Sequence, residues 1–329
     1  MWKVNAGRRS ALAEDFLTRN VVAIGWREAG DYSRARSFEE VLSRIAEAYP
    51  ENSEQQKRVS AGQIWRFLTE VRVGDPVMTY DPRNRLYHLG VVTGEPAFAP
   101  DQIELLPVQR SVEWQSSVSR DKLSDAARGR LGAILTLFKV APSATQELRN
   151  LAAGLENIPM TPTDLAEDVD EASDPFEGLA DQAIERVKDR LLALAWDDMQ
   201  EVVASLLRAL GYRTTVSPAG PDRGKDIIAS KDGFGFERPR IVVEVKHRRG
   251  QMGSQEIRSF LGGRHPDDRG LYVSTGGFTR EARYEAERAS TVTHLMELDE
   301  LARALIEQYD KLDEEGRRLL PLTKIYWPT

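Results

Sequence analysis

The middle of the chain contains no lysine or arginine between Arg149 and Arg186. The same interval holds ten carboxylates and three prolines: Glu156, Asp164, Glu167, Asp168, Asp170, Glu171, Asp174, Glu177, Asp181 and Glu185, with Pro159, Pro162 and Pro175. Like charges repel and proline interrupts regular structure, so this composition is typical of a solvated linker. The 329 residues are also about twice the length of a typical domain. We therefore expect two folded domains, residues 1–151 and 179–329, joined by an acidic linker at 152–178.

The net charge of −7 argues, taken alone, against a polyanionic partner. The interval between Arg149 and Arg186 carries −10 of that charge, so the rest of the chain carries +3, with +2 in residues 1–149 and +1 in residues 186–329. Nucleic acid is therefore not excluded as a partner. An alternative interpretation of the acidic interval is a mimic that covers a basic site in the free protein.

Composition excludes several other classes of protein. The chain contains no cysteine, which excludes a disulfide scaffold, cysteine-ligated zinc or iron–sulfur sites and a thiol nucleophile, and which fits a reducing cytoplasm. No apolar run approaches the roughly 18 residues of a membrane span. The basic residues 1–10 lead into a stretch too acidic for a signal peptide. We expect a cytoplasmic protein without a membrane partner.

Helical and strand patterns alternate in the second half of the chain, which predicts an α/β (α+β) domain with a mixed sheet flanked by helices. Apolar residues recur at helical spacing from Met199 to Leu210, and Gly211 stands where a helix C-cap belongs. Helices are predicted at 183–194, 196–210, 254–260 and 279–289, and strands at 212–216, 226–229, 240–245, 270–274 and 293–296.

Within that domain, Asp226 is followed eighteen residues later by Glu244-Val245-Lys246. Side chains alternate along a strand, so Glu244 and Lys246 are expected on one face. Two carboxylates suit a hard cation such as Mg²⁺, with Mn²⁺ as a substitute, and an adjacent ammonium stabilises charge developing on phosphate. We predict Asp226 and Glu244 as metal ligands and Lys246 as the catalytic cation. Glu201, on the preceding helix, is predicted to add a ligand directly or through water.

The order of motifs around this centre resembles the catalytic domain of Mrr-type restriction endonucleases, in the PD-(D/E)XK nuclease superfamily. The resemblance covers about residues 183–305 and rests on Glu201-Val202-Val203, Leu210-Gly211-Tyr212, Gly220 to Asp226, Val243 to Lys246, Ile257 to Phe260, and Val273 to Thr279 with Ala282. It implies metal-dependent hydrolysis of DNA phosphodiester bonds. Many Mrr-type domains carry glutamine where this chain has Glu244, and the acid agrees with the wider superfamily pattern.

Basic residues surround the predicted centre. From Asp222 to Arg264 there are ten lysines and arginines against six acids. We predict DNA-backbone contacts from Arg223, Lys225, Arg248, Arg249 and Arg258. A solvated basic loop is the alternative. Strand alternation turns His247 away from Lys246, so we assign it no catalytic role. The motifs of P-loop nucleotide sites, zinc proteases and serine hydrolases are absent from the sequence.

The first half of the chain predicts a small β-barrel with helices. Its segments Ile24-Gly25-Trp26, Gln63 to Phe67, Gly74 to Tyr80 and Tyr87 to Val92 resemble PUA-like domains of the EVE type. That resemblance implies a pocket that receives a flipped base by stacking and edge hydrogen bonds. Candidates for the pocket are the aromatic residues Trp26, Tyr32, Trp65, Tyr80 and Tyr87 and the polar residues Asp31, Ser33 and Gln63, with Arg66, Arg83 and Arg85 for the DNA backbone. The alternative is that these aromatic residues belong to the core.

Together these features predict a Mg²⁺-dependent DNA endonuclease of a restriction or phage-defence system that acts on double-stranded DNA carrying modified bases. A homodimer is expected at least during cleavage, because one active site cuts one strand. The alternatives are a structure-directed repair or nicking nuclease and a non-catalytic nucleic-acid-binding protein with a nuclease-like fold. The intact set Asp226, Glu244 and Lys246 argues against the last alternative.

Overall fold

The computed structural model describes residues 1–103, 105–132, 135–155, 179–217, 226–233, 236–262, 264–265 and 267–325. The chain divides into two compact units, Met1–Gln182 and Ala183–Thr329. The predicted acidic linker lies, from residue 156 to 178, outside the described residues.

The N-terminal unit combines one sheet with helices. Its strands are β1 (Trp2–Val4), β2 (Val21–Ile24), β3 (Pro76–Asp81), β4 (Leu86–Val92), β5 (Ala97–Phe98), β6 (Val108–Ser119) and β7 (Leu137–Lys139). Its α-helices are α1 (Ala13–Arg19), α2 (Phe38–Ala48), α3 (Glu54–Thr69), α4 (Asp125–Leu131) and α5 (Pro142–Ala152), and short 3₁₀ helices span Arg8–Ser10, Arg27–Ala29 and Arg120–Lys122.

The sheet of the N-terminal unit follows the order β2-β6-β4-β3-β1-β7, with β5 also paired to β6. The twelve-residue strand β6 pairs with β2 over its first part and with β4 over its second part. The β4–β6 register shifts between Leu89 and Gly90, where a Cβ on Gly90 would lie 2.6 Å from the Glu113 carbonyl oxygen. Bulges increase local twist. Among the described residues the result is a curled sheet whose strand pairs form an open path, and the likeness to a PUA-like domain stays a prediction.

Two hydrophobic cores stabilise the N-terminal unit. Phe16, Val41, Ile45, Ile64 and Phe67 pack from α1, α2 and α3 into one core. Residues of β3 and β4 pack with α4 and α5 in the other core, among them Met78, Tyr80, Tyr87, Leu131 and Leu148. A capping box begins α3, where the Ser53 side chain accepts a hydrogen bond from the Gln56 N–H.

The C-terminal unit is a five-stranded mixed sheet between two layers of helices. The elements are α6 (Leu179–Leu192), α7 (Trp196–Ala209), β8 (Arg213–Val216), β9 (Ile227–Ser230), β10 (Ile241–Lys246), α8 (Ser254–Leu261), β11 (Arg269–Ser274), α9 (Arg280–Glu287), β12 (Thr293–Glu297), α10 (Leu298–Glu307) and α11 (Glu314–Leu319). The strand order is β12-β11-β10-β9-β8, with β10, β11 and β12 parallel and β8 and β9 antiparallel. The predicted mixed sheet flanked by helices is confirmed.

The two faces of this sheet contact different helices. Val243 and Val245 lie on the face that packs against α6, α7 and α10. Tyr272 lies on the other face, in a cluster with residues of α8 and α9. Because neighbours along a strand alternate, Glu244 and Lys246 share the second face. In the described part of the chain, no helix is both long and apolar enough to cross a membrane.

Candidate active site

Three polar side chains lie in one row across three neighbouring strands. Ile227 of β9 pairs with Val243 of β10 in antiparallel register, so Asp226 falls opposite Glu244. On the other side of β10, Glu244 pairs with Tyr272 of the parallel strand β11. The register of the sheet therefore brings Asp226, Glu244 and Tyr272 together on the face covered by α8 and α9.

The Asp226 carboxylate is held by the backbone of β10. Asp226 is only 4% exposed, and its Oδ2 accepts a hydrogen bond of 2.6 Å from the Val245 N–H. The Asp226 N–H in turn donates to the Val243 carbonyl at 2.9 Å. This pair of bonds fixes the carboxylate beside Glu244 without using the Glu244 side chain.

Lys246 and Glu244 form an ion pair, with 2.8 Å between Lys246 Nζ and Glu244 Oε1. The Glu244 side chain is 9% exposed and the Lys246 side chain 34% exposed, so the ammonium lies on the solvent side of the pair. The strand β10 that carries both residues is the middle strand of the five. The pair is therefore not an ion pair on a sheet edge, where both charges would be fully solvated.

Tyr272 and Arg264 are site residues that no sequence motif marks. Burial and the neighbouring Glu244 carboxylate raise the pKa of Tyr272. Arg264 stacks on Phe260 with its guanidinium carbon 4.4 Å from the ring centroid. Burial lowers the pKa of Arg264, while the negative charges of Glu244, Asp268 and Asp226 oppose that shift. Arg264 is one of the ten basic residues of the segment 222–264, whereas the register that aligns Tyr272 with Glu244 is not visible in the sequence.

The turn after β11 fixes the backbone that leaves β10. A Cβ on Gly276 would lie 2.1 Å from the Gly250 carbonyl oxygen, so only glycine fits at this approach. The Met252 N–H donates to the Gly277 carbonyl at 2.9 Å. Thr279 ends the turn and caps α9 by accepting from the Ala282 N–H. The Ser-Thr-Gly-Gly-Phe-Thr motif thus positions the segment that follows Lys246.

Glu201 is not placed with the other predicted ligands. Its carboxylate forms an ion pair with Arg208, which also binds Asp313 and Thr214. Among the described residues, no group of three or more histidines and carboxylates is arranged to hold a metal ion. The structure brings together Asp226, Glu244 and Lys246, and a role for Glu201 as a metal ligand stays a prediction.

The predicted DNA contacts lie at the surface where they are described. Arg248 pairs with Glu256 and Arg258 pairs with Glu285, each at 3.0 Å, and Arg249 is exposed. Exposed ion pairs of this kind contribute little to stability, so breaking them costs little free energy. Arg223 and Lys225 lie outside the described residues. The His247 Nε2 bonds to the Leu194 carbonyl at 2.9 Å, away from the row.

The predicted base-pocket residues occupy different environments. Trp26 is half-buried with φ of 62°, a left-handed conformation that is uncommon for a bulky residue. Asp31 is exposed and accepts from Ser33, and Trp65 is half-buried on α3. Tyr80 is 7% exposed, with its ring 4.7 Å from that of Tyr87.

The register of β6 separates the two ends of this set. Trp26 follows β2, which ends at Ile24 opposite Val108, whereas the strand partner of Tyr80 is Tyr87, opposite Val118. Ten positions along a strand are roughly 30 Å. The structure therefore does not bring Trp26 and Tyr80 to one place along β6.

The other candidates in this unit have internal partners. The Gln63 side chain accepts from the Leu137 N–H, and the buried Tyr32 hydroxyl donates to the Gly25 carbonyl. Arg85 forms a pair of 2.9 Å with Asp121 that is largely buried. Arg66 lies 4.0 Å from Glu70, and Arg83 lies 4.0 Å from Glu14. These contacts support the fold of the unit and leave its recognition role a prediction.

Each half of the chain matches a known protein family. Residues 191–305 match a family described as restriction endonuclease, and residues 2–140 match a family described as a domain of unknown function. The first match lies within residues 183–305, where the sequence resembles the Mrr-type catalytic domain, and that prediction is confirmed.

Two curated proteins are similar in sequence. The uncharacterized protein y4cE of Sinorhizobium fredii (strain NBRC 101917 / NGR234) is 34% identical over 113 residues, which are 33% of this chain and 28% of that protein. The type IV methyl-directed restriction enzyme EcoKMrr of Escherichia coli (strain K12) is 27% identical over 191 residues, which are 50% of this chain and 62% of that enzyme. The matches thus span less than two thirds of either relative.

Two solved structures share a distant likeness. The MspJI restriction endonuclease in complex with a 27-mer oligonucleotide overlaps with a TM-score of 0.32 at 13% identity, over 85% of this chain and 67% of that chain. The DNA modification-dependent restriction endonuclease AspBHI overlaps with a TM-score of 0.33 at 16% identity, over 85% of this chain and 71% of that chain.

Proposed function

We propose that this chain, whose residues 191–305 are a restriction endonuclease domain of the Mrr type, is a metal-dependent endonuclease that hydrolyses phosphodiester bonds in double-stranded DNA. Its setting is a restriction or defence system that attacks modified DNA. The observation that carries the proposal is the row of Asp226 and Glu244 with Lys246 beside them, 2.8 Å from Glu244.

The donor set fits Mg²⁺, with Mn²⁺ as a substitute. Asp226 and Glu244 offer carboxylate oxygens, which hard cations prefer, and Mg²⁺ commonly binds proteins through only one or two carboxylates plus waters. When bound, the cation polarises the phosphate and lowers the pKa of a bound water. Asp226 and Glu244 would hold it, with Glu201 as a further candidate through water.

The chain's own residues supply binding and charge. Lys246, released from Glu244, places its ammonium against the scissile phosphate and stabilises charge that develops there. Arg248, Arg249 and Arg258 bind the flanking backbone, with Arg223 and Lys225 as further candidates. The Val245 N–H keeps Asp226 oriented while Lys246 moves.

The N-terminal unit is proposed as the reader of the modified base. The EcoKMrr relative is named a methyl-directed enzyme, and modification dependence is extended here to this chain. Trp26 and Trp65 are the stacking candidates, because both are half-buried, and Asp31 is the candidate for the base edge. Tyr80 is buried and lies about ten strand positions along β6 from the end near Trp26, so it is not part of the proposed pocket. Cutting both strands requires two sites, so we propose a homodimer during cleavage.

A plasmid cleavage assay tests the proposal. Plasmids carrying 5-methylcytosine, N6-methyladenine or no modification are incubated with the full chain and Mg²⁺, Mn²⁺ or a chelator. We expect linear product from at least one modified plasmid, none with the chelator, and a loss of roughly 10³-fold or more for Asp226→Asn. Asp267→Asn, an exposed carboxylate outside the row, is the matched control and should cut like wild type.

Other outcomes favour the alternatives. Nicked circles without linear product indicate a nicking or repair nuclease. If the chain binds every plasmid but cuts none of them, it is a non-catalytic binding protein. Equal cutting of modified and unmodified DNA would show that the N-terminal unit does not recognise a modified base.

A further inference from the structure

The Tyr272 side chain is buried in the C-terminal unit and packs between two phenylalanine rings. Its ring makes edge-to-face contacts with Phe260, at 5.0 Å and 85°, and with Phe278, at 5.7 Å and 73°. The residue has no exposed surface. Such contacts fix the ring, so the direction of its hydroxyl is set by α8 and by the turn before α9.

The Tyr272 hydroxyl is buried, and in the described part of the chain it makes no hydrogen bond of ordinary length and angle. Its row partner is Glu244, whose carboxylate raises the pKa of Tyr272, after burial, through its charge and through a hydrogen bond to the hydroxyl. Buried hydroxyls are normally paired, and Glu244 is the acceptor that this hydroxyl faces. Glu256 and Arg248 are the next charges that act on it.

The Glu244 carboxylate changes partners during the proposed reaction. In the structure its Oε1 is paired with Lys246. When Lys246 turns to a DNA phosphate, the Glu244 carboxylate that would hold the cation loses this partner and needs another contact to keep its orientation. Asp226 cannot donate to it as a carboxylate, whereas a tyrosine hydroxyl can.

We propose that Tyr272 is a positioning residue that donates a hydrogen bond to the Glu244 carboxylate and holds it in the orientation that binds the cation. The inference rests on the proposed function. It assigns Tyr272 no contact with the DNA and no chemical step. Partners of ligating carboxylates typically change metal affinity by about 10- to 100-fold when removed.

Calorimetric titration of Mn²⁺ into the full chain, without DNA, tests the proposal. Tyr272→Phe keeps the ring and removes only the hydroxyl, and we expect its Mn²⁺ affinity to fall by about 10-fold. Tyr284→Phe removes an exposed hydroxyl from α9 and should bind like wild type. Glu244→Ala removes the carboxylate and should abolish binding. A Tyr272→Phe affinity within about two-fold of wild type, measured where Glu244→Ala shows no binding, overturns the inference.

A second measurement does not require the variant to fold. In wild-type chain labelled with 3-fluorotyrosine, the ¹⁹F resonance of Tyr272 should shift on addition of Mg²⁺, while that of Tyr284 should not. An unmoved Tyr272 resonance at saturating Mg²⁺ also overturns the proposal. In kinetics, Tyr272→Phe should lower kcat and raise the Mg²⁺ concentration needed for half-maximal rate, with the KM for DNA unchanged.

The two proposals fail separately. If Tyr272→Phe weakens Mn²⁺ binding but wild type cuts no DNA, the proposed function fails and the role of Tyr272 at Glu244 stands. If wild type cuts DNA and Tyr272→Phe binds Mn²⁺ like wild type, only the inference fails.

Discussion

The two units use a cation beside a sheet in opposite ways. In the N-terminal unit Arg110 is 1% exposed and donates to the carbonyls of Phe67, Leu68 and Gly94 at 3.0, 3.0 and 3.2 Å. In the C-terminal unit Lys246 is one-third exposed and paired with Glu244. A cation that donates its hydrogen bonds to backbone carbonyls of different segments stabilises the packing of those segments. A cation at the solvent side of a carboxylate row can exchange that partner for a substrate.

Lys246→Met tests one half of this comparison and has the largest expected effect. Removing the ammonium should lower the cleavage rate by roughly 10³-fold, since it stabilises charge in the transition state, and should leave thermal stability nearly unchanged. The rate is measured on the plasmid that wild type cuts. Lys311→Met, at an exposed site, is the control. A large drop in stability without a loss of rate would make Lys246 a structural cation like Arg110.

Arg110→Met tests the other half. The variant leaves three carbonyl groups without their donors, and we expect the N-terminal unit to lose about 3 kcal/mol of stability. Hydrogen exchange followed by mass spectrometry localises the effect, which should fall in residues of α3 and β6. Amides of β9 to β11 should keep wild-type protection. Loss of protection in both units would show that Arg110 does more than hold its own sheet.

Local sequence patterns predicted most of the C-terminal unit. The apolar spacing of Met199, Val202 and Leu206 predicted α7, and strand alternation predicted that Glu244 and Lys246 share a face, because both patterns depend only on near neighbours. The Asp226 spacing predicted a carboxylate beside Glu244, and the register agrees.

The rest depends on contacts between distant segments. Tyr272 enters the row only through the parallel pairing of β10 with β11. Glu201 is held by Arg208, which Asp313 holds in turn from more than 100 positions away. Tyr80 is buried because α4 and α5 pack over its face of the sheet. A linear sequence does not display such partners.

Asp268 extends the comparison to a buried carboxylate in the C-terminal unit. It is 1% exposed and pairs with Arg238 at 2.6 Å and Arg240 at 2.8 Å. Burial raises its pKa, but the hydrogen bond and charge of Arg240 and the His265 N–H outweigh burial and hold the pKa below its usual range. Like Arg110, Asp268 is therefore a buried charge whose partners lie inside its own unit, whereas Glu244 is paired with a partly exposed lysine.

The lowered pKa of Asp268 fixes the sign of its pH dependence. Its ionised form stabilises the folded state above the unfolded value of about 4, and that contribution is lost as pH falls toward the lower folded value. Asp268→Asn should therefore have a lower urea midpoint than wild type at neutral pH. The gap should narrow as pH falls below about 4. A gap that stays constant down to pH of about 2 would mean that packing, not charge, explains the loss.

Arg249→Ala has the smallest expected effect. As an exposed residue near the row, Arg249 should contribute one phosphate contact, so its loss should weaken DNA binding by a few-fold and reduce the salt slope by about 1. Fluorescence anisotropy at several salt concentrations, without divalent cation, measures both. Arg318→Ala, an exposed arginine paired with Glu315, is the control and should leave the slope unchanged. If the salt dependence of DNA binding has the same slope in both variants, Arg249 does not contact the DNA.

Every side chain of the row, together with Lys246, Arg264 and the Gly276 turn, comes from one continuous stretch of the chain, residues 226–279. The loops that must close to assemble the site are therefore short, which keeps the entropy cost of forming it low. No residue of this stretch is supplied by the N-terminal unit. Under the proposed function, such a segment is portable, because all residues of the row can be inherited or exchanged as one piece of the chain.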